Sequence, residues 1–390
     1  MTDIEYITDA AQLQALCHRI QPLQWLALDT EFMREKTYYP EFCLLQLATP
    51  EWVACVDPKA GYDLAPLWTQ LLRTDLVKVI HSCRQDLEIF YHLTGQIPGP
   101  VFDTQIAAPL LGLPENAGYA LLVSHFLNVN LSKAHSRTDW LARPLSPEQL
   151  RYAADDVTYL CLVYQKMLTK LNELGRMNWL AREFADLMDV KLYEVQPTEA
   201  WRRIRGKFKL TGRQLGVLKV LAQWREETAK SQNKPRSWLL RDELMVELAK
   251  LQPTTVEALS KVRQINDGLV RKQGEKLCQL IAEALTRPAK MAEEKGKTPR
   301  LNAQQEAVLD LLTAWVKVKA AQNSLNPVSL AGRKDLEALL LEPENSALNK
   351  GWRHAMVGQD LEALLAGTAR LQIQDHKVCA LTDEGQPLNG

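Results

Sequence analysis

Apolar residues come in short, dense runs at the front of this chain and then change period. Leu26–Phe32, Cys43–Ala48 and Val53–Val56 have strand length and are joined by short connections holding Tyr38-Tyr39-Pro40 and Thr49-Pro50-Glu51. That pattern predicts a three-stranded antiparallel meander, preceded by a helix around Asp9–Ile20. Helix and strand then alternate. Leu64–Leu72 reads as a helix, Val77–His81 as a strand, Gln85–Leu93 as a helix, Val101-Phe102 as the opening of a last strand, and Thr104–Leu111 as a helix. Strands first and alternation afterwards imply a mixed sheet with helices on its faces, an α/β domain over residues 1–195.

A long helix closes this domain. Ser146 suits its N-cap, Pro147 its first position and Gln149 the return partner of a capping box. At 100° per residue, Leu150, Ala153, Val157, Leu160, Tyr164 and Leu168 share one face, with Asp156 at roughly 90° from its centre and Asp155 at roughly 170°. Asp155 should therefore meet solvent, while Asp156 sits on a flank that can enter a cleft. Tyr152, four residues earlier, lies on the same stripe as Asp156.

The back half is polar and helical, and it repeats itself. Leu210-Thr211-Gly212-Arg213-Gln214 aligns with Leu301-Asn302-Ala303-Gln304-Gln305 at an offset of 91, and Leu218, Leu221, Trp224 and Ala229 align with Leu309, Leu312, Trp315 and Ala320. After one inserted residue, Arg241, Leu244 and Leu248 align with Arg333, Leu336 and Leu340. Two helical modules are expected, 210–290 and 300–375, joined by a charged linker over 290–299.

Charge separates the parts further. The net charge is zero, yet residues 1–200 carry 25 acidic and 16 basic side chains, 201–300 carry 11 and 23, and 301–390 carry 11 and 8. An acidic front joined to a basic middle suits a polyanionic substrate, one part gripping the backbone and the other cutting it. The basic run Arg202, Arg203, Arg205, Lys207, Lys209 and Arg213 opens the first module. No window holds the ~18 uninterrupted apolar residues of a membrane span, and the start lacks the layout of a secretory signal. Seven scattered cysteines without a Cys-x-x-Cys pair agree with a cytoplasmic protein of buried thiols. Nothing calls for a dimer.

The candidate chemistry lies where the first long strand ends. Asp29 and Glu31 are two apart, so a strand puts both on one face, where they repel unless a cation lies between them. Hard oxygen ligands suit Mg²⁺ or Mn²⁺. Asp86, near the start of the helix after Val77–His81, is favoured there by the exposed N–H groups or serves as a third carboxylate. Asp103 can cap the helix that follows it. Arg137 and Arg143 stand in a polar segment that can reach phosphates.

These residues resemble a known family. Asp29-x-Glu31, Asp86 after His81, and Tyr152-x-x-x-Asp156 are similar to the signature of the 3′→5′ exonucleases with four acidic residues, in their tyrosine variant. Tyr38-Tyr39-Pro40, Gln46, Phe102-Asp103-Thr104-Gln105 and the segment 137–145 bring the resemblance to the bacterial ribonuclease D family. It implies a ribonuclease H-like sheet and hydrolysis of a terminal phosphodiester with two divalent cations. Asp29 would bridge both ions, Glu31 and Asp156 would hold the one that activates water, Asp86 would support the second through water, and Tyr152 would orient the attacking water. Gln46 and His81 become plausible nucleotide contacts. The first helical module resembles the helicase-and-ribonuclease-D C-terminal (HRDC) family, and the module after it resembles a diverged copy.

The resulting expectation is an α/β domain followed by two all-α modules, acting as an exoribonuclease on RNA with a free 3′ end. The resemblance implies precursors of transfer RNA and other small structured RNAs as substrates. Arg202, Arg203, Arg205 and Lys207 would touch the backbone, and the second module would position or brace the first. A DNA exonuclease or a catalytically silent RNA-binding protein on the same fold are the alternatives.

Overall fold

The computed structural model describes residues 3–131, 138–286 and 301–388. The front domain contains β1 (Ile4–Ile7), α1 (Ala10–Ile20), β2 (Trp25–Met33), β3 (Glu41–Ala48), β4 (Val53–Val56), α2 (Ala65–Leu71), β5 (Val77–Ile80), α3 (Arg84–Thr94), β6 (Val101–Asp103), α4 (Thr104–Ala107), α5 (Tyr119–Leu127), α6 (Pro147–Glu173) and α7 (Ala181–Asp186). The strands form one sheet in the order β1-β4-β3-β2-β5-β6. β2, β3 and β4 are the expected antiparallel meander, and β5 and β6 join β2 in parallel. Sequence reading missed β1, a four-residue edge strand that pairs in parallel with β4.

Pleat alternation sorts the sheet's residues onto two faces. Leu26, Leu28, Leu45, Leu47, Ala54 and Val56 share a core with Leu13, Leu16 and Ile20 of α1 and Leu87 and Phe90 of α3. Ala27, Ala48, Val53, Val79 and Phe102 belong to the core that holds Val157, Leu160 and Tyr164 of α6. α6 therefore lies against one face, and its buried stripe is the one its phase demands. Each large apolar side chain buried there contributes about 1.5–3 kcal/mol of transfer free energy.

The first helical module is α8 (Gly212–Gln232), α9 (Arg236–Leu239), α10 (Asp242–Leu251), α11 (Val256–Ser260) and α12 (Asp267–Thr286), built around its own core. The second is α13 (Ala303–Gln322), α14 (Pro327–Leu330), α15 (Arg333–Leu341), α16 (Gly351–Arg353) and α17 (Gln359–Ala366). The repeat is structural: α8 and α13 open alike. The Thr211 N–H donates to Gln214 Oε1 at 3.0 Å and the Asn302 N–H to Gln305 Oε1 at 3.0 Å. Leu218, Leu221 and Ala229 are buried, as are Leu309, Leu312 and Ala320.

Two expectations about the second module are corrected. It is not all-α: β7 (Ala369–Gln374) and β8 (Lys377–Thr382) form a terminal hairpin that runs past the expected boundary at 375. Among the described residues its core is shared with the front domain, and none of its residues belongs to the first module's core. Its Leu325 and Leu330 join the core that contains Leu110, Leu113 and Leu180. Arg176 donates to the Leu110 carbonyl at 2.6 Å and to that of Asn323, and Asn326 donates to the Leu113 carbonyl at 3.1 Å. Trp179 and Trp352 stack with centroids 4.6 Å apart. The expected linker over 290–299 falls wholly outside the described residues.

The first module attaches elsewhere on the front domain. Tyr38 donates to the buried Glu226, and Arg236 lies 4.5 Å above the Tyr38 ring while pairing with Glu226 at 2.6 Å. Asn233 Oδ1 accepts from the Tyr38 and Tyr39 N–H groups at 3.0 and 3.1 Å.

Candidate active site

β2 carries Asp29 and Glu31 on the face that α6 covers, and a bulge against β3 follows Glu31. The start of α6 is fixed by the capping box foreseen in the sequence. Gln149 N–H donates to Ser146 Oγ at 3.2 Å, and the Ser146 N–H donates to Gln149 Oε1 at 2.8 Å. Two turns later Asp156 reaches the strand end. Asp29, Glu31 and Asp156 each offer an oxygen, all within 4.8 Å of one another. Three partly exposed carboxylates at that separation are a hard-oxygen cradle for a divalent cation.

Asp86 stands beside this trio, buried in the first turn of α3. It accepts a hydrogen bond from Thr30, the residue between Asp29 and Glu31 on the opposite sheet face. Asp103, left open by the sequence, is a structural cap. It accepts from the N–H groups of Ser82 and Cys83, which precede α3, and from that of Gln105 in α4. It thereby sets the helix that presents Asp86.

The carboxylates disturb each other's ionisation. Burial first, and then Asp156, holds the Asp29 carboxyl well above the usual range, and burial with the Asp29 charge does the same to Asp86. Burial, Asp29, Asp156 and Asp86 push Glu31 up to about 9. Asp156 rises to about 7 through burial and Asp155, a rise partly offset by the hydrogen bond from Tyr152. Like charges this close favour protons until a cation takes their place. Burial, followed by Asp156, also raises the Tyr152 phenol, so it stays protonated at neutral pH.

The remaining expected contacts sort by geometry. His81 is half-buried, with Nδ1 3.0 Å from Thr104 Oγ1. Gln46 is fully buried and Arg143 is spent on the fold, so both are withdrawn as nucleotide contacts. Arg143 grips both oxygens of the buried Asp57 at 2.7 and 2.8 Å and donates to the Cys43, Trp140 and Ala142 carbonyls. Arg137 lies outside the described residues. Arg202 pairs with Glu199, and Lys207 Nζ donates to the Ile204 carbonyl at 3.3 Å while lying 4.5 Å over the Phe208 ring. Arg203 and Arg205 are exposed and make no ion pair among the described residues.

Two residues that position the site escaped the sequence. Thr30 is one. Tyr119 is the other, its hydroxyl donating to the Asp156 carbonyl at 2.5 Å and to the Asp155 carbonyl at 3.2 Å. Asp155 is consequently half-buried rather than solvent-facing, because α5 packs on that flank of α6. No sequence pattern marks either contact, since both join segments remote along the chain.

Two clefts share a wall residue, and the first reaches Glu31 of the trio. One, of about 740 Å3, is lined by Glu31, Met33, Lys36, Thr37, Asp139 and Trp140. The other, of about 640 Å3, lies between the front domain and the first module, and Thr37, Arg203, Arg205, Arg236 and Arg241 border it. Thr37 belongs to both walls.

A mixed sheet with acidic residues converging at one strand end, followed by helical modules, is the build of a 3′→5′ exonuclease with an HRDC domain. The family model described as 3′-5′ exonuclease matches residues 4–172, and the HRDC domain model matches 214–281. Ribonuclease D of Gluconacetobacter diazotrophicus is 39% identical over 378 residues, covering 95% of this chain and 95% of the relative. Ribonuclease D of Sphingobium indicum is 39% identical over 380 residues, covering 95% and 97%. The crystal structure of Escherichia coli RNase D matches with a TM-score of 0.79 at 31% identity, over 94% of this chain and 99% of that one. The chain belongs to the ribonuclease D family. It is a 3′→5′ exoribonuclease, within a metal-dependent family of exonucleases, and its substrate is RNA.

Proposed function

We propose that this enzyme removes nucleotides one at a time from RNA 3′ ends with the help of two Mg²⁺ or Mn²⁺ ions, releasing 5′-monophosphates. The carrying observation is the convergence of Asp29, Glu31 and Asp156 oxygens within 4.8 Å. Asp29, Glu31 and Asp156 would hold one cation, and Asp29 with Asp86, acting through water, the second. Bound there, the ions lower the pKa of water and stabilise the attacking and leaving oxygens of an in-line displacement. The chain's own groups supply the rest. Tyr152, protonated and bonded to Asp156, orients the attacking water by hydrogen bonding and does not act as its base. Thr30 fixes Asp86, and Tyr119 fixes the Asp156 backbone.

The RNA end occupies the cleft beside Glu31 and Trp140, and the chain behind it passes Thr37 into the cleft beside the first module. Arg203, Arg205 and Arg241, all exposed and without ion pairs among the described residues, meet the phosphates there. Precursors of transfer RNA and other small structured RNAs are the proposed substrates. In support, the Escherichia coli relative is an exoribonuclease involved in structured RNA processing. The enzyme works as a monomer in the cytoplasm, a setting supported by seven free cysteines, six of them buried. Among the described residues no helix is long and apolar enough to cross a membrane.

The deciding experiment digests 5′-labelled RNA and matched DNA with Mg²⁺, Mn²⁺ or EDTA, using wild type and Asp29→Asn. Metal-dependent stepwise shortening of RNA, lost in Asp29→Asn with unchanged thermal unfolding, is expected. Shortening by Asp29→Asn, or in EDTA, would sink the mechanism.

A further inference from the structure

Gln46 sits at the centre of the sheet. On β3 it pairs with Asp29 of β2 on one side and with Cys55 of β4 on the other. Residues directly opposite each other in antiparallel strands share a face, so the Gln46 side chain rises on the same side as the Asp29 carboxylate. α6 packs across β2, β3 and β4 on that side, its own Ala153 and Val157 buried against them. Gln46 has 0% exposure, and among the described residues neither its Nε2 nor its Oε1 has a hydrogen-bond partner. Other residues with an orphaned buried atom differ. Arg19, Glu183, Arg225 and Asn349 each bond through another side-chain atom, and Trp352 keeps part of its surface.

A buried amide without partners costs free energy that a Leu or Met of similar size would not. The neighbours the sheet gives it are apolar or weakly polar: Leu44 and Ala48 along its own strand, and Cys55 across. Directly across on β2 it faces Asp29. A fully buried donor and acceptor beside a catalytic carboxylate is what an outer support of a cation site provides, since such groups fix the orientation of the residues that touch the ion.

We propose that Gln46 is a positioning residue of the catalytic centre, its amide N–H serving as donor to the Asp29 carboxylate when that carboxylate is ionised and holding cations. Gln46 touches neither RNA nor ion. It fixes which way the Asp29 oxygens face. The inference rests on the two-cation reading of Asp29.

The test uses the full-length protein with Gln46→Met, and Gln46→Leu as an alternative shape should Met pack poorly. Three quantities are measured: thermal unfolding without divalent cation, Mn²⁺ affinity by calorimetry and by the cation-induced rise in Tm, and kcat and KM on a 3′-hydroxyl RNA. The expected result is a cation-free Tm equal to or above wild type, Mn²⁺ affinity lower by about tenfold, kcat lower by about tenfold or more, and KM within about twofold. Wild-type Mn²⁺ affinity and kcat in either folded variant would overturn the proposal. So would a cation-free Tm that falls in both variants, because the amide would then be serving the fold. If wild type itself neither binds Mn²⁺ nor trims RNA, the two-cation reading fails and this inference with it. If wild type does both and the variants match it, the reading stands and only the role of Gln46 falls.

Discussion

The Tyr119 hydroxyl donates to the main-chain carbonyl of Asp156 at 2.5 Å, clamping the turn of α6 that delivers a carboxylate of the proposed cation site. A side chain of α5 thus controls the position of a residue on another helix without touching the chemistry. Tyr119→Phe keeps the ring and removes the clamp. We expect kcat to fall by about 3–10-fold with KM unchanged, and stability to drop by about 1 kcal/mol, the net worth of one hydrogen bond. Steady-state kinetics beside thermal unfolding checks this. Full activity would show that α6 needs no such clamp.

Thr30 and Asp86 offer a sharper test of the proposed second cation. Thr30→Val preserves shape and β-branching but removes the hydroxyl that donates to Asp86. The Mg²⁺ concentration for half-maximal activity should rise by about tenfold, while the substrate KM at saturating Mg²⁺ stays the same. A Mg²⁺ titration of initial rates reads both.

Arg143 belongs to the fold, and pH reports it. Burial tends to raise the Asp57 carboxyl, but hydrogen bonds from Arg143 and Tyr6 outweigh it and hold the group below its usual range. A depressed carboxylate contributes stability that is fully present above its unfolded pKa and lost as pH falls through its folded one. Arg143→Met should therefore cost roughly 3 kcal/mol at pH 7, shrinking as the solution is acidified below the ordinary Asp range near ~3.9. The salt dependence of RNA binding should not change. Denaturant melts at several pH values, beside binding at two salt concentrations, separate a fold contact from a phosphate contact.

For Arg203, Arg205 and Arg241 the opposite pattern is expected. Replacing all three with Gln should raise KM for RNA and leave kcat and Tm close to wild type. The slope of log affinity against log salt should become shallower by about 0.7 for each phosphate of single-stranded RNA that is no longer neutralised. An unchanged slope would move the RNA track elsewhere.

Arg176→Met addresses the brace between the second module and the front domain. It would leave the carbonyls of Leu110 and Asn323 without their donor. A loss of about 2–4 kcal/mol is expected, visible in thermal unfolding.

What the sequence disclosed followed from local rules. The phase of α6 placed Asp156 on a flank, Ser146 and Gln149 marked where that helix starts, and the pleat put Asp29 beside Glu31. These depend on periods of 2 and 3.6 that a single sequence carries. Thr30 with Asp86, Tyr119 with Asp156, and Arg143 with Asp57 are long-range pairs, and nothing near any partner announces the other. Arg143 misled because a guanidinium binds a buried carboxylate as readily as a phosphate. β1 was too short to stand out, and the hairpin after α17 lay beyond the reach of the repeat.

The shared core around Leu110, Leu113, Leu180, Leu325 and Leu330 also sets a timetable for synthesis. Domains usually fold as they leave the ribosome, N-terminal first, at about 5–20 residues per second. Here Leu110 and Leu180 wait for Leu325 and Leu330, on the order of ten seconds behind Leu180 at that pace. Until then the newborn front domain shows water an apolar surface that the segment around Leu325 and Leu330 later covers.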